Sequence, residues 1–125
     1  MSEMQKIIET AFEQRADITP NSVSDEVRQA VDATLTELDR GTLRVAQPSD
    51  QGWQVNQWAK KAVLLSFRIH DNRPIDGGFT QFYDKVPMKY QGWSAQDFAG
   101  AGTRVVPPAA ARHGAFIGKN VVLMP

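Results

Sequence analysis

Apolar residues recur with a helical period in the first forty residues of the chain. The first such segment, residues 3–15, predicts a short amphipathic helix whose apolar stripe consists of Ile7, Ile8, Ala11 and Phe12. The second begins after Ser24, a residue type that favours the N-cap position of a helix. It ends at Gly41, where a left-handed C-terminal cap is expected. The chain therefore opens with two predicted helices.

A strand-like pattern follows the second helix. Leu43–Val45 alternates between apolar and polar residues, and the turn-rich residues 47–52 separate it from Trp53–Val55, so we expect a small hairpin. A third helix starts at Asn56 and stops before Pro74, which disfavours helical geometry in the preceding residue. Its wide apolar face predicts a central place in the core, and that face comprises Trp58, Ala59, Ala62, Val63, Leu65, Phe67 and Ile69.

The pattern is weaker in residues 75–103. Between Ile75 and Lys89 we expect an edge strand and a loop. Ser94 and Asp97 have the spacing of a capping box, and they predict a short helix that ends at the following glycines. Together these elements indicate an α+β fold, with a small helical domain and one short hairpin over residues 1–103.

A period of six residues begins after residue 104. One column contains Ala110, Phe116 and Val122, and a second column of small or β-branched side chains contains Ala109, Ala115 and Val121. Gly114, Gly118 and Asn120 lie between the columns and suit tight corners. This spacing is typical of hexapeptide-repeat β-helices, in which three six-residue faces make one coil. Residues 104–125 therefore predict the first coil of a β-helix, and we expect further coils to belong to it, because such repeats are stable only when stacked.

Composition excludes several functional classes. The 125 residues, 42% of them hydrophobic, suit one domain with a short tail. The 14 basic and 14 acidic residues balance, so we expect no nucleic-acid partner. The chain contains no cysteine, which excludes disulfides and thiolate chemistry and fits a reducing compartment. Since neither a signal segment nor a membrane-spanning run is evident, we expect a soluble cytoplasmic protein without a membrane partner.

Few residues offer catalytic chemistry. The serines have no neighbouring base motif, and His70 and His113 have no spacing that suggests a metal site, so we assign no catalytic residue, no metal and no tightly bound cofactor to this chain. The helix dipole explains Arg68 and His70 at the end of the third helix. His113 is expected at a solvent-exposed corner of the coil.

Three charged residues of the later loops need separate interpretation. Asp84 and Lys85 are expected to form a local ion pair that fixes a loop, while Lys89 adds positive potential. Arg104 precedes the rigid Val-Val-Pro-Pro segment. Spacing alone favours a surface charge at a domain junction, but a guanidinium in this place can also bind a carboxylate through two parallel hydrogen bonds.

Five ordered segments carry a resemblance to a known family. They are IIETAFE at 7–13, LRVA at 43–46, KKAVLLSFRI at 60–69, DKVPMK at 84–89 and RVVPPAA at 104–110. In this order they closely resemble the 2,3,4,5-tetrahydropyridine-2,6-dicarboxylate N-succinyltransferase family, also called tetrahydrodipicolinate N-succinyltransferases. The resemblance covers essentially the whole chain.

The resemblance implies a cytoplasmic homotrimer of lysine and diaminopimelate biosynthesis. It implies an α/β N-terminal domain followed by a left-handed parallel β-helix, and active sites between neighbouring subunits. The implied reaction transfers succinyl from succinyl-CoA, a co-substrate, to L-2-amino-6-oxopimelate, the ring-opened acceptor. Arg104 matches the substrate-binding arginine of the family. The general base and the CoA groove belong to the β-helix beyond this sequence, so we expect an N-terminal part that does not catalyse transfer by itself.

An alternative interpretation stays open. The same 125 residues can be a non-catalytic association or regulatory module. In that case another chain is expected to cover the apolar column of Ala110, Phe116 and Val122.

Overall fold

The computed structural model describes residues 2–125. Its helices are α1 (Glu3–Glu13), α2 (Asp25–Arg40), α3 (Gln57–Ser66) and α4 (Ala95–Ala101), with a 3₁₀ turn at Arg15–Asp17. Its strands are β1 (Ala46–Ser49), β2 (Gly52–Val55), β3 (Arg73–Asp76), β4 (Gln81–Asp84), β5 (Arg104–Val105) and β6 (Val122–Leu123). The strands form three separate pairs, β1–β2, β3–β4 and β5–β6. The described part of the chain is therefore a small α+β structure with short hairpins.

The core lies between the first three helices. Each of α1, α2 and α3 packs against the other two. Their apolar stripes bury one cluster, which consists of Ile8, Ala11, Ala30, Val31, Leu35, Leu38, Ala59, Ala62, Leu65 and Ile69. The expected central place of α3 is confirmed, since Ala59 and Ala62 are fully buried. Burial of this cluster is what stabilises the helical part of the fold.

The predicted ends of α2 are confirmed. The Ser24 hydroxyl accepts a hydrogen bond from the Val27 amide at 3.2 Å, and Gly41 adopts a φ of 78°. By contrast, α3 ends at Ser66, three residues before the last residue of its predicted face. Its final turn tightens, because the Phe67 and Arg68 amides donate to carbonyls only three residues back. Ile69 remains buried just beyond the helix.

The two antiparallel hairpins differ from the expectation. The first hairpin is confirmed, but its first strand is Ala46–Ser49 rather than Leu43–Val45. The second hairpin pairs β3 with β4, where only an edge strand and a loop were expected. Pro74 lies inside β3, which a two-stranded ribbon tolerates because each strand has a free edge.

The C-terminal segment returns to run parallel to its own start. Arg104 of β5 pairs with Val122 of β6, eighteen residues further along the chain. Gly114 and Asn120 take positive φ values at corners, as expected, whereas Gly118 does not.

Within the six-residue repeat, the residues that the fold buries differ in part from those expected. Ala110, Phe116 and Val122 are exposed. The second predicted column, Ala109, Ala115 and Val121, is half-buried, and so is the column Ala111, Ile117 and Leu123. None of the helices within residues 2–125 combines the length and the apolar character needed to cross a membrane.

Candidate functional site

Arg104 is held by the junction between α4 and β5. Ser94 and Asp97 form the predicted capping box, which fixes the start of α4. Gly102 ends the helix with a φ of 67°, and the Thr103 side chain is buried beneath the turn. The Arg104 amide then donates to the Val121 carbonyl at 3.1 Å. The backbone of Arg104 is therefore fixed on both sides.

The side chain of Arg104 points away from the protein interior. It is exposed, and within residues 2–125 it forms no ion pair with a carboxylate. Because side chains alternate along a strand, Val105 faces the opposite side and lines a cleft. Arg104 itself lines none of the clefts described below. Its backbone is fixed and its guanidinium has no ion pair within residues 2–125, so the side chain suits bidentate binding of a carboxylate.

The cleft beside Val105, here called the arm cleft, has a volume of about 350 Å³. One wall is the segment Pro107–Ala111, which begins with a turn at Pro107 and Pro108, and the other is the β3–β4 hairpin with Met88 and Tyr90. This volume lies within the range of small-molecule sites. Its lining is mostly apolar, so it suits an uncharged body rather than a carboxylate.

Tyr90 anchors an aromatic cluster behind the arm cleft. Its ring centroid lies 4.8 Å from that of Trp93 and 5.4 Å from that of Phe98. The Tyr90 hydroxyl is buried and faces the Thr103 side chain without a hydrogen bond of good geometry. Burial raises the pKa of this hydroxyl. The sequence offered one signal for this cluster, namely three aromatic residues within nine positions.

Asp39 ties the C-terminal segment to α2 and was not anticipated from the sequence. Its carboxylate accepts hydrogen bonds from Lys89 Nζ and from the Gly114 amide, both at 2.9 Å. His113 Nδ1 lies 3.6 Å from the same oxygen. We call these four residues the Asp39 clamp. Lys89 and Gly114 lie 50 and 75 residues away along the chain, so no local pattern could have revealed the clamp.

The clamp corrects two expectations. Lys89 is paired with Asp39 and 92% of its side chain is buried, so it does not add free positive potential to a site. His113 is half-buried beside Asp39 rather than exposed at a corner. The backbone supports the same docking, because the His113 amide donates to the Pro87 carbonyl at 2.8 Å and the Lys89 amide to the Ala111 carbonyl at 2.9 Å.

The expected ion pair between Asp84 and Lys85 is wrong. Asp84 instead accepts a hydrogen bond from Arg112 at 3.0 Å, while Lys85 Nζ donates to the Phe67 carbonyl at 3.2 Å. A backbone hydrogen bond from Lys85, followed by the charge of Arg112, lowers the pKa of Asp84. The Asp84–Arg112 ion pair therefore joins the C-terminal segment to β4.

The remaining candidates, Arg68 and His70, are poorly suited to catalysis. Arg68 is exposed beyond the end of α3. His70 is half-buried, and burial lowers its pKa, so dipole stabilisation of a charged imidazole does not describe it. Within residues 2–125, no cluster of three or more His, Asp or Glu side chains has the geometry to hold a metal ion.

Comparison with known proteins concerns the chain as a whole. Residues 3–69 match the family model described as "Tetrahydrodipicolinate N-succinyltransferase N-terminal". Three relatives carry the name 2,3,4,5-tetrahydropyridine-2,6-dicarboxylate N-succinyltransferase. The relative from Polynucleobacter asymbioticus is 60% identical over 123 residues, which cover 97% of this chain and 45% of the relative. For Thiobacillus denitrificans the identity is 60% over 126 residues, covering 100% of this chain and 46% of the relative.

The third relative, from Burkholderia mallei, is 57% identical over 124 residues, covering 98% of this chain and 45% of the relative. The chain thus spans a little under half the length of the curated relatives it matches.

Proposed function

The chain belongs to the tetrahydrodipicolinate N-succinyltransferase family, and we propose that it forms the N-terminal, acceptor-binding part of such an enzyme. The enzyme transfers succinyl from succinyl-CoA to the amino group of L-2-amino-6-oxopimelate in lysine and diaminopimelate biosynthesis. In this reaction the amine attacks the thioester carbonyl, a C–N bond forms and the C–S bond breaks. The amine loses a proton and the departing CoA sulfur takes one up.

One observation carries the proposal for this chain, namely the position of Arg104. Its guanidinium is exposed and unpaired within the described residues, while its backbone is fixed by β6. The acceptor carries carboxylates, and arginine binds a carboxylate with two parallel, charge-assisted hydrogen bonds. A fixed backbone reduces the freedom lost on binding. Arg104 is therefore proposed to bind a carboxylate of the acceptor.

The C-terminal segment supports a second part of the proposal. A parallel pair separated by eighteen residues is the spacing expected for one coil of three hexapeptides. We assign residues 1–103 to the N-terminal α/β domain and residues 104–125 to the first coil of a left-handed parallel β-helix. Further coils, a homotrimeric assembly and a cytoplasmic location belong to the same proposal.

Catalysis is proposed to need groups outside the described residues. The serines of the chain have no neighbouring base motif, and the arm cleft is too apolar to hold the phosphates of CoA. The base and the CoA groove are assigned to the following coils. By itself the chain is expected to show no turnover of succinyl-CoA, and detectable turnover by the pure 125-residue protein would contradict this assignment.

The test of Arg104 uses the enzyme in which this chain is joined to its β-helix. Arg104→Ala is expected to weaken binding of the dicarboxylate acceptor by about tenfold or more, because a hydrogen-bonded charge pair is lost. The affinity for CoA should stay within about twofold of the unsubstituted enzyme. Arg40→Ala, an exposed arginine in the last turn of α2, is the control for loss of one positive charge. Unchanged affinity for the acceptor in Arg104→Ala would remove this residue from the site.

A second candidate function is a non-catalytic association module. The observation that favours it is the exposure of Phe116 and Val122, which are 47% and 50% exposed in the chain alone. Sedimentation of the 125-residue protein distinguishes the two possibilities. A stable trimer or mixed complex supports a module, whereas a monomer supports a part that depends on the following coils.

A further inference from the structure

A second cleft lies on the helical domain, where α1 and α3 end. We call it the cationic cleft, because Arg15, Arg68 and Lys85 line it. Its apolar floor includes Ile18 and Leu64, beside Phe12 and Phe67, and its volume is about 570 Å³, within the range of small-molecule sites. Arg104 does not line this cleft, so its occupant differs from the acceptor proposed above.

The positive charge of this cleft is not neutralised by the protein. Within the described chain, none of the three cations forms an ion pair with a carboxylate. Asp71 is the one acidic residue among those that line it. Burial lowers the pKa of His70, another lining residue, so its imidazole adds little charge at pH 7. The lining therefore keeps an excess of positive charge over an apolar floor.

Two of the cations are already oriented. Arg15 donates to the Phe12 carbonyl at 2.9 Å, and its guanidinium carbon lies 4.3 Å from the centroid of the Phe12 ring. Lys85 Nζ donates to the Phe67 carbonyl at 3.2 Å. The helix ends offset only a partial charge, so both groups keep a net positive charge. Orientation before binding lowers the entropy lost when a ligand arrives.

Stabilisation of helix ends explains only part of this arrangement. Cations suit the negative C-terminal ends of α1 and α3, which accounts for the orientation of Arg15 and Lys85 and favours Arg68 as well. Arg68 is exposed and donates no hydrogen bond to a carbonyl in the described residues. Helix capping also does not require the apolar side chains of Ile18 and Leu64 in the lining. A bound ligand would explain both features.

We propose that the cationic cleft binds a small organic anion, in which a phosphate or carboxylate group is attached to a flat apolar body. The anionic group contacts Arg68 and Lys85, and the apolar body lies against Ile18 and Leu64. The two kinds of anionic group share this chemistry, and the experiment below separates them.

The experiment is an NMR titration of the chain with phenyl phosphate, benzoate and inorganic phosphate. Either aromatic anion is expected to shift the amide signals of Leu65, Phe67 and His70 in a saturable way, and the tighter of the two identifies the anionic group. Inorganic phosphate should bind at least about fivefold more weakly than phenyl phosphate, because it cannot use the apolar floor.

The matched variants are Arg68→Gln inside the cleft and Arg40→Gln outside it, since both remove one exposed positive charge. We expect Arg68→Gln to weaken binding of the tighter aromatic anion by about fivefold to tenfold, and Arg40→Gln to change it by less than about twofold. Raising NaCl to about 0.5 M should also weaken binding.

Three results would each overturn the proposal. They are the absence of saturable shifts with both aromatic anions, binding of inorganic phosphate as tight as that of the tighter aromatic anion, and equal affinities in Arg68→Gln and Arg40→Gln. An Arg104→Ala variant should bind the same anion normally, so failure of this inference is separate from failure of the acceptor site.

Discussion

Removal of the Asp39 carboxylate should release the C-terminal segment from the helical domain. In Asp39→Ala, the Lys89 ammonium loses its ion pair while 92% of its side chain stays buried. The Gly114 amide also loses its acceptor. Breaking a buried pair by removing one partner costs about 3–5 kcal/mol, and the 21% exposure of Asp39 favours the lower end. We expect a loss of about 3 kcal/mol in the free energy of unfolding.

Urea denaturation measures this loss. With an m-value of about 2 kcal/mol/M, a loss of about 3 kcal/mol lowers the urea midpoint by about 1.5 M. Asp39→Asn keeps an acceptor for Gly114 but not the charge, so it should lose about half as much. Limited proteolysis should show faster cleavage after residue 103 in Asp39→Ala, because the released segment becomes accessible.

Two controls make the result specific to the clamp. Glu9→Ala removes a comparable but more exposed pair, Glu9–Lys61, and should cost less than about 1 kcal/mol. Adding Lys89→Met to Asp39→Ala removes the unpaired cation, which should restore about half of the lost stability. If Asp39→Ala lowers the free energy of unfolding by no more than Glu9→Ala does, the clamp does not hold the segment and this reasoning is wrong.

Two further predictions concern Gly41 and His70. Gly41→Ala should destabilise the protein by about 2 kcal/mol or more in urea denaturation, because φ is 78° and the added Cβ would lie 2.7 Å from the Phe116 ring. The control is Gly52→Ala, which is also at positive φ but has open space around it. Equal losses of stability in the two variants would exclude a steric role for Phe116. The pKa of His70 is lowered from 6.5 by burial, so the unfolded state binds its proton more readily and stability falls as pH drops below about 6.5. His70→Gln should lose less stability than the unsubstituted protein between pH 7 and pH 5, and identical losses would contradict the pKa shift.

Local sequence rules predicted the helices best. The caps at Ser24 and Ser94 act within a single turn, so the residues that define them are neighbours in sequence. The end of α3 was less predictable, because Ile69 is buried whether or not the helix continues to it. The second hairpin was not predicted because of Pro74. A proline argues against a strand inside a wide sheet, but a two-stranded ribbon tolerates it.

For the candidate site, the sequence singled out one residue, and its role stays a prediction. Arg104 stood out through its place before two prolines and through the family resemblance, and the structure leaves its guanidinium unpaired within residues 2–125. The partners of Asp39 and Asp84 depend on how distant segments dock, which spacing along the chain does not encode. Asp84 pairs with Arg112, 28 residues away, and not with its neighbour Lys85.

The Asp39 clamp also has a consequence for the order of folding. The three helices that form the core are consecutive along the chain, apart from the short β1–β2 hairpin, so their contacts close small loops. The Asp39–Gly114 contact closes a loop of 75 residues, whose entropy cost is larger. During synthesis from the N-terminus, the helical core can therefore assemble on the ribosome before residues 104–125 emerge. The contacts of Asp39 with Gly114 then form last.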